Sequence, residues 1–356
     1  MQFADRLNNV ETSAIRELFK LLGKPGIISF AGGFPDSAMF DVDGIREASN
    51  KALTEEPGAA LQYGATEGYQ PLREQLAAFM QSKGTADIAP EQLIVTTGSQ
   101  QALDLIGKTM ISPGDKVIVE GPTFLATIQC FRLYGAEIIS APIDGEGVQT
   151  DTLEQLIALH KPKFVYLIPT FGNPSGALLS TGRRKQVLEL AVKYQTLVVE
   201  DDPYGDLYFG DAPPPSLLAM SASVPCSRDL LVHCGSLSKV LSPGLRVGWM
   251  VGPEPLLARA TMCKQFSDAH TSNLTQAIAA EYLALRRMDA ALDRVRRTYA
   301  ERARAMSDAL KKEIGDAVTF NQPQGGMFLW ARLTASGADA AEFAKIVRYE
   351  TAGAAR

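Results

Sequence analysis

From residue 90 onward, hydrophobic positions follow a repeating pattern of short apolar runs and longer stretches with helical spacing. The apolar runs are rich in Val and Ile and show no polar alternation. Such runs are typical of strands in a mostly parallel sheet whose two faces are both covered by helices. The predicted strands are 92–97, 116–120, 138–142, 164–169, 196–200, 230–233 and 247–251. The pattern therefore predicts an α/β fold with a mostly parallel seven-stranded sheet sandwiched by helices.

Helical spacing dominates before and after this region. The elements predicted before it are a helix near 15–22, a strand at 27–30, and helices over 42–56 and 70–82. The elements predicted after about residue 253 are a helical region over 273–314, a strand over 325–330 and an amphipathic helix over 338–347. This change of pattern predicts a second, smaller domain beside the sheet.

Composition argues against a nucleic-acid-binding, membrane, secreted or metal-binding protein. Of 356 residues, 46% are hydrophobic and 21% are charged, with a net charge of -5, which disfavours nucleic acid or an anionic membrane as a partner. No apolar run approaches the ~18 residues of a membrane span, and the N-terminus does not resemble a signal peptide. Four cysteines without paired spacing and only three histidines predict neither disulfides nor a metal site. We expect a cytoplasmic protein.

The strand predicted at 230–233 leads into the loop with the most distinctive chemistry. Ser236, Ser238 and Arg246, together with backbone amides, form a suitable site for a phosphate. Lys239 lies among them, and its amine could form a Schiff base with a carbonyl. Pyridoxal phosphate carries both an aldehyde and a phosphate, so it fits this loop. An ordinary solvated loop after a strand has a similar composition, and the interpretation therefore depends on the other strand ends.

The first two strands of the series end in groups that suit the same ligand. Ser99 and Gln100 begin a predicted helix, where free amides and the helix dipole favour an anion. Phe124 follows the second strand and could stack on a flat heterocycle. A simple helix cap and a core phenylalanine are the alternative interpretations of these residues.

Two later strands end in polar residues. Asn173 follows the strand at 164–169 and could donate to a phenolate oxygen, although Asn-Pro-Ser-Gly is also an ordinary turn. Asp201 follows the strand at 196–200, and a carboxylate at the end of a buried strand is costly unless it is paired. A protonated pyridine nitrogen is a suitable partner for it, and Tyr204 could donate to the phenolate as well.

In this order, the motifs Gly-Ser-Gln, Pro-Thr-Phe, Asn-Pro-Ser-Gly, Asp-Asp-Pro-Tyr and Ser-Leu-Ser-Lys with Arg246 resemble those of fold-type I pyridoxal-phosphate enzymes, the class I/II aminotransferases. The resemblance is closest to the branch containing 2-aminoadipate and kynurenine aminotransferases, and it covers roughly residues 10 to 335. It implies ping-pong transfer of an amino group between an amino acid and a 2-oxo acid by a homodimer.

The resemblance also implies a role for each residue. Lys239 would hold the cofactor as an internal aldimine and then move a proton from the substrate α-carbon to the cofactor C4′. Asp201 would pair with the ring nitrogen, Asn173 and Tyr204 would bind the phenolate oxygen, and Phe124 would stack on the ring. The phosphate would be held by Ser99, Gln100, Ser236, Ser238, Arg246 and Tyr63, the last from the neighbouring subunit. The substrate would be approached by Gly33, Arg16 and Asn173.

The same resemblance implies a division into three units. We expect residues 1–42 to join the small domain and the substrate entrance. Residues 43–266 would form the large domain that binds pyridoxal phosphate, and residues 267–356 the linking helix and an incomplete α+β small domain.

The last residues depart from the family pattern. Family members continue past Gly-Gly-Met-Phe-Leu-Trp to a strand bearing an arginine for the substrate α-carboxylate, and no arginine in this sequence has that context. We therefore expect a truncated chain that binds cofactor normally and amino acids weakly, with Phe328 and Trp330 exposed. A weakly active or inactive cofactor-binding fragment and a pyridoxal-phosphate lyase or decarboxylase are the alternatives. A transcription regulator is disfavoured, because no basic helix-turn-helix segment precedes residue 30. The sequence does not indicate the amino donor.

Overall fold

The structure is a computed structural model that describes residues 3–7, 30, 32–85, 88–210, 215–337 and 339. The helix predicted near 15–22, together with Arg16, lies outside the described residues. The strand predicted at 27–30 and the helix predicted over 338–347 also lie outside them, apart from Phe30 and Asp339.

Strands of the described chain form one eight-stranded and one two-stranded sheet. The strands are β1 (Leu93–Thr96), β2 (Lys116–Gly121), β3 (Glu137–Asp144), β4 (Gly147–Val148), β5 (Phe164–Leu167), β6 (Leu197–Asp202), β7 (Leu231–Ser236), β8 (Gly248–Val251), β9 (Val318–Thr319) and β10 (Arg332–Leu333). The large sheet has the order β1-β8-β7-β6-β5-β2-β3-β4, and β9 pairs with β10. All seven strands predicted for the large sheet are therefore present in it.

Strand direction brings the candidate residues to one edge of the large sheet. Strands β3, β2, β5, β6 and β7 are parallel neighbours in that order. Strand β8 is antiparallel to both β7 and β1, so β1 points the same way as β7. Every residue of β1, β5, β7 and β8 is buried, as expected for a sheet covered on both faces. The carboxyl ends of β1, β2, β5, β6 and β7 consequently meet at the same edge, where ligands of such folds bind.

Two sequence predictions about strands were wrong. The large sheet has an eighth strand, β4, whose two residues are too few to show any periodicity and which pairs antiparallel with the end of β3. The run over 325–330 is not a strand, and Gly325 forms only an isolated bridge with Tyr208. A Cβ at Gly325 or Gly326 would lie 2.3 or 2.6 Å from Phe171 side-chain atoms, and Gly326 has a φ of +73°. These glycines allow the chain to pack closely on Phe171, and the positive φ of Gly326 is incompatible with a continuous strand.

The helices of the described chain pack around the large sheet and beside it. They are α1 (Val42–Glu55), α2 (Pro57–Leu61), α3 (Gln70–Gln81), α4 (Ser99–Met110), α5 (Leu125–Leu133), α6 (Thr150–His160), α7 (Thr181–Tyr194), α8 (Leu217–Met220), α9 (Glu254–Ser267), α10 (Asn273–Ala284) and α11 (Met288–Glu313). One-turn 3₁₀ helices lie at Asp5–Leu7, Ser37–Met39, Pro90–Gln92, Ser221–Ser223, Arg228–Leu230, Pro243–Leu245 and Gly315–Ala317. The helical region predicted over 273–314 is divided between α10 and α11, because Arg286 takes a φ of +52°. Among the described helices, none has the length and apolar character to cross a bilayer.

The long helix α11 fixes the segment that precedes α1. Arg302 pairs with Asp36 at 2.6 Å, and the backbone amide of Asp36 donates to the Tyr299 hydroxyl at 3.0 Å. Arg287 pairs with Asp41 at 2.8 Å, and its hydrogen bond lowers the pKa of Asp41 to about 2. These contacts attach the segment between Gly33 and α1 to α11 and to Arg287, the residue just before it.

Candidate active site

The loop after β7 and the start of α4 bring together a set of hydrogen-bond donors. The Ser236 hydroxyl donates to the Ser238 hydroxyl at 2.9 Å, and an Arg246 guanidinium nitrogen donates to the same Ser238 oxygen at 3.4 Å. The other terminal nitrogen of Arg246 donates to the Thr97 carbonyl at 3.1 Å, two residues before Ser99 begins α4. Three residues predicted to bind phosphate thus lie in one cluster beside a helix N-terminus, where amides and the helix dipole favour an anion.

Gly98 allows the Arg246 guanidinium to lie close to the start of α4. It occupies the N-cap of α4 with a φ of +77°, and a Cβ there would lie 2.4 Å from a guanidinium nitrogen of Arg246. A Cβ at Gly248 of β8 would in turn lie 2.6 Å from the Gly98 carbonyl carbon. Any side chain at either glycine would therefore displace the arginine or the helix start, and the first-turn residues Ser99 and Gln100 would move with it.

Lys239 lies half-buried three residues beyond Ser236. Its Nζ donates to the Gly33 carbonyl at 3.4 Å and lies 6.0 Å from the centre of the Tyr204 ring. Burial, together with the positive charge of Arg246, lowers the pKa of Lys239. A lowered pKa increases the neutral fraction of the amine, which is the form that attacks a carbonyl or accepts a proton.

Asp201 is the buried carboxylate of the site. Only 3% of it is exposed, and its Oδ2 accepts a hydrogen bond from the Tyr166 hydroxyl at 2.8 Å. Its Oδ1 is buried and has no hydrogen-bond partner among the described residues. Burial raises the pKa of Asp201 to about 7, although the Tyr166 hydrogen bond opposes the shift. A buried oxygen without a donor is costly, and the protonated ring nitrogen of pyridoxal phosphate is a donor that fits it.

Sequence reasoning missed Tyr166. This residue lies within the apolar strand β5, is fully buried, and accepts a hydrogen bond from Thr127 at 3.2 Å while it donates to Asp201. In the sequence it looks like one more aromatic core residue. A tyrosine in place of phenylalanine in a buried strand does signal a buried partner, since its hydroxyl must be satisfied. Only the pairing of β5 with β6 identifies that partner.

Asn173 and Tyr204 meet on the other side of the site. The Asn173 amide donates to the Tyr204 hydroxyl at 3.5 Å, and Tyr204 is 4% exposed. The Phe328 ring contacts the Tyr204 ring edge-on, with centroids 5.6 Å apart. The expectation that Phe328 is exposed was therefore wrong, because its ring packs on Tyr204 and on Gly33. Trp330 is 41% exposed, as expected.

Two of the predicted cofactor residues, Phe124 and Tyr63, show contrasting environments. Phe124 lies at the N-cap of α5 and packs partly buried against the hydrophobic core. Tyr63 follows α2, is 85% exposed, and meets His270 edge-on with ring centroids 5.8 Å apart. The structure thus brings Ser236, Ser238, Lys239 and Arg246 together, whereas the Tyr63 ring faces outward.

The residues on either side of Asp201 belong to a cluster of ionisable side chains that the sequence did not predict. Glu200, Asp202 and His233 offer ligand atoms within 4.8 Å of one another, an arrangement that could hold a metal ion. The Glu200 oxygens, however, already accept from the Leu217 amide at 2.6 Å and the Leu218 amide at 3.1 Å, and Glu200 meets His233 at 2.9 Å. Burial alone would lower the pKa of His233, but the hydrogen bond and negative charge of Glu200 outweigh burial, so the pKa is raised overall. Glu200 and His233 therefore form a buried ion pair, and backbone amides already donate to both Glu200 oxygens.

A cavity of about 740 Å³ adjoins the site. It is lined mainly by apolar residues, with Gly33 and Phe328 on the side toward Lys239. Its charged groups, Asp36 and Arg302, are paired with each other. Lys239 does not line the cavity, but its Nζ donates to the carbonyl of Gly33, which does.

Comparison with known proteins identifies the family of this chain. Residues 26–354 match the family model described as aminotransferase class I and II. The chain is 42% identical over 333 residues to a 2-aminoadipate transaminase of Thermus thermophilus, covering 93% of this chain and 81% of that protein. It is 38% identical over 336 residues to aromatic-amino-acid aminotransferase 1 of Thermococcus litoralis, covering 93% and 79%.

A solved structure is also similar. It is that of an alpha-aminoadipate aminotransferase from Thermus thermophilus, complexed with N-(5'-phosphopyridoxyl)-L-leucine. The TM-score is 0.87 at 40% identity, over 95% of this chain and 83% of that chain.

Fold and site together define a fold-type I enzyme that depends on pyridoxal phosphate. The chain belongs to the class I and II aminotransferase family, and its activity is transamination between an amino acid and a 2-oxo acid. The predictions of fold class, cofactor and activity made from the sequence are thereby confirmed.

Proposed function

We propose that this aminotransferase holds pyridoxal phosphate between Asp201 and the loop after β7 and uses Lys239 as its reactive amine. The observation that carries this assignment is the Asp201 Oδ1, which is buried without a partner among the described residues. When bound, pyridoxal phosphate supplies an electron sink for the carbanion formed at the substrate α-carbon. A carboxylate facing the ring nitrogen would favour the protonated ring that accepts those electrons best.

The remaining residues of the site would bind and orient. Ser236, Ser238 and Arg246 would hold the phosphate by charge-assisted hydrogen bonds, together with amides at Ser99 and Gln100. Asn173 and Tyr204 would donate to the phenolate oxygen, and Phe124 would cover a face of the ring. Hydrogen bonds among Ser236, Ser238 and Arg246 orient these three side chains within the protein itself, which would limit the cost of reorganisation.

Lys239 would hold and move the proton of the α-carbon. Its lowered pKa increases the neutral fraction of the amine, and the neutral amine is the form that would accept that proton and return it. The cavity beside Gly33 would receive the substrate side chain, since its wall is mainly apolar and its two charges are paired. Asn173 would also contact the substrate.

The proposed function is tested with purified protein loaded with pyridoxal phosphate. We expect the absorbance of the bound cofactor to change when an amino acid is added alone, and to return when a 2-oxo acid is added. L-2-aminoadipate, L-phenylalanine and L-leucine would be compared as donors. Conversion of an amino acid to carbon dioxide and an amine, or to elimination products, without any 2-oxo acid would contradict transamination.

We also propose that the active unit is a homodimer in which Tyr63 reaches the phosphate of the neighbouring subunit. Leu61, Tyr63 and Phe266 are 68%, 85% and 83% exposed, an unusual exposure for apolar side chains. The segments that carry Tyr63 and Phe266 come together at His270 and Asn273. Asp268 and Thr271, close to His270, bond to Thr97, whose carbonyl binds Arg246. This exposed face therefore lies near the proposed phosphate site.

Mixed dimers test this arrangement. Tyr63→Ala and Lys239→Ala homodimers are each expected to be poorly active at limiting pyridoxal phosphate. Random pairing makes half of all dimers mixed, and each mixed dimer has one site with both residues intact if Tyr63 acts across the interface. The mixture should therefore recover about a quarter of the wild-type activity. The proposal would be contradicted if the activity of the mixture equalled the mean of the two homodimer activities, or if light scattering showed the wild-type protein to be a monomer.

A further inference from the structure

Lys264, near the end of α9, is a buried charge that the proposed chemistry does not use. Its side chain is fully inaccessible to solvent. The ammonium donates to the two Asp268 carboxylate oxygens at 2.8 and 2.9 Å, to the Gln101 side-chain oxygen at 3.1 Å and to the Thr271 hydroxyl at 3.1 Å. Every donor of the lysine is therefore engaged, and its acceptors come from helix α4 and from the segment that follows α9.

The three residues that accept from Lys264 all contact Thr97. The Gln101 oxygen accepts from the Thr97 amide at 2.8 Å, and an Asp268 oxygen accepts from the Thr97 hydroxyl at 3.2 Å. The Thr271 hydroxyl lies 3.1 Å from the same Thr97 hydroxyl. The Gln101 amide also donates to Asp268 at 2.7 Å, which closes the network. One ammonium thus organises all the side-chain contacts of Thr97 that the structure describes.

Thr97 is in turn connected to the proposed phosphate site. Its carbonyl accepts from Arg246 at 3.1 Å, and the next residues, Gly98 and Ser99, are the N-cap and first residue of α4. A rotation of the Thr97 peptide would shift the guanidinium and the first amides of the helix at the same time. The contact of a Gly98 Cβ with Arg246, which would be only 2.4 Å, shows how little space there is for such a shift.

The charge of Lys264 is not itself what attracts an anion. Asp268 neutralises it at hydrogen-bonding distance, so the pair has little net field at the phosphate site. An apolar side chain of similar volume would fill the same space without the desolvation cost that a buried ion pair carries. The arrangement therefore suggests a geometric function, the orientation of several acceptors around one peptide.

We propose that Lys264 is a positioning residue for phosphate recognition, which acts through Asp268, Gln101 and Thr271 on Thr97 and so on Arg246 and the start of α4. This inference rests on the proposed site for pyridoxal phosphate. It assigns the end of α9 to cofactor binding, although Lys264 itself touches no ligand.

The test compares pyridoxal phosphate with pyridoxal, which has the aldehyde and the ring but no phosphate. Both dissociation constants would be measured by absorbance titration of the cofactor-free wild type and of Lys264→Met, which removes the charge and shortens the unbranched side chain by one atom. Because charge-assisted contacts are each worth about tenfold or more in affinity, we expect the variant to bind pyridoxal phosphate about 10- to 100-fold more weakly. The dissociation constant for pyridoxal should change by less than about threefold.

A matched control is available on the neighbouring helix. Lys108 pairs with Asp104 four residues away, as Lys264 pairs with Asp268, and it also bonds to Ser267 at the end of α9. Neither of these two contacts involves Thr97. Lys108→Met should therefore leave both dissociation constants within about twofold of wild type. An equal loss of both ligands in Lys264→Met would indicate a general structural role and would overturn the proposal.

If Lys264→Met does not fold, Thr97→Val tests the same proposal. It removes only the hydroxyl that contacts Asp268 and Thr271, and it keeps the shape of the side chain. Weaker binding of pyridoxal phosphate alone is expected, by several-fold, and unchanged binding would refute the proposed connection. If the wild type bound neither ligand, the proposed function itself would be refuted. If the wild type bound pyridoxal phosphate and the variants bound it equally well, only the role of Lys264 would be refuted.

Discussion

Replacing Lys239 with alanine is expected to slow the amino-acid half-reaction by a factor of about 10³ or more. A positioned general base alone contributes about 10² to 10⁴ in rate, and this residue is also the amine of the loop that can bond to the aldehyde. The Nζ of Lys239 lies beside Gly33 and the Tyr204 ring, where burial lowers its pKa. Stopped-flow absorbance after mixing with an amino acid measures the rate directly.

Two controls separate loss of the base from loss of the fold. Lys163→Ala, at a lysine whose side chain is 46% exposed and 3.5 Å from Asp115, should leave the rate unchanged. Added methylamine should partly restore Lys239→Ala, since the missing side chain leaves room for a small amine of suitable basicity. A Lys239→Ala protein that retained more than about a tenth of the wild-type rate would exclude this residue as the base.

Asp201→Asn is expected to lower kcat by about 10² to 10³, the effect typical of removing one preorganised electrostatic contact. The amide keeps the shape of the carboxylate but carries no charge to favour a protonated ring nitrogen. Its neighbour Asp202, whose carboxylate accepts from the Gly205 amide at 3.0 Å, provides the matched control. Asp202→Asn retains an oxygen for that bond and should keep kcat within about tenfold. Equal effects of the two substitutions would contradict the special role of Asp201.

The same substitution should also change how the free energy of unfolding depends on pH. Burial raises the pKa of Asp201 to about 7 in the cofactor-free protein, against 3.8 for the ordinary group. Between these values the folded state holds a proton that the unfolded chain releases, so the free energy of unfolding decreases as pH rises through this window. The full effect is on the order of 4 kcal/mol above pH 7. Cofactor-free Asp201→Asn should therefore lose less stability than wild type between pH 4 and 8 in urea titrations.

Much of the site could be predicted because each residue follows a recognisable strand. Solid apolar runs identified seven strands, and the carboxyl ends of parallel strands meet at one edge whatever the details of packing. Ser236, Ser238 and Arg246 lie within eleven residues of one another, so a single loop was sufficient to bring them together. The proposed role of Asp201 was inferred from the cost of a buried carboxylate.

The residues that were missed act through contacts between distant parts of the chain. Tyr166 is identified as the partner of Asp201 only by the pairing of β5 with β6, and in the sequence it resembles any core aromatic. Lys264 lies 163 positions from Gln101, and no local pattern marks a lysine on α9 as buried. The apolar run over 325–330 suggested a strand, but its glycines serve to pack closely on Phe171.

The sequence by itself determined the α/β class, the order of the reactive groups and the cofactor, because periodicity and short loops are local properties of the chain. The tertiary structure decided which donor satisfies Asp201, how Lys264 organises Thr97 and why Gly98 must lack a side chain. Those features depend on strand register and helix packing, and both are set by the fit of residues far apart in the chain.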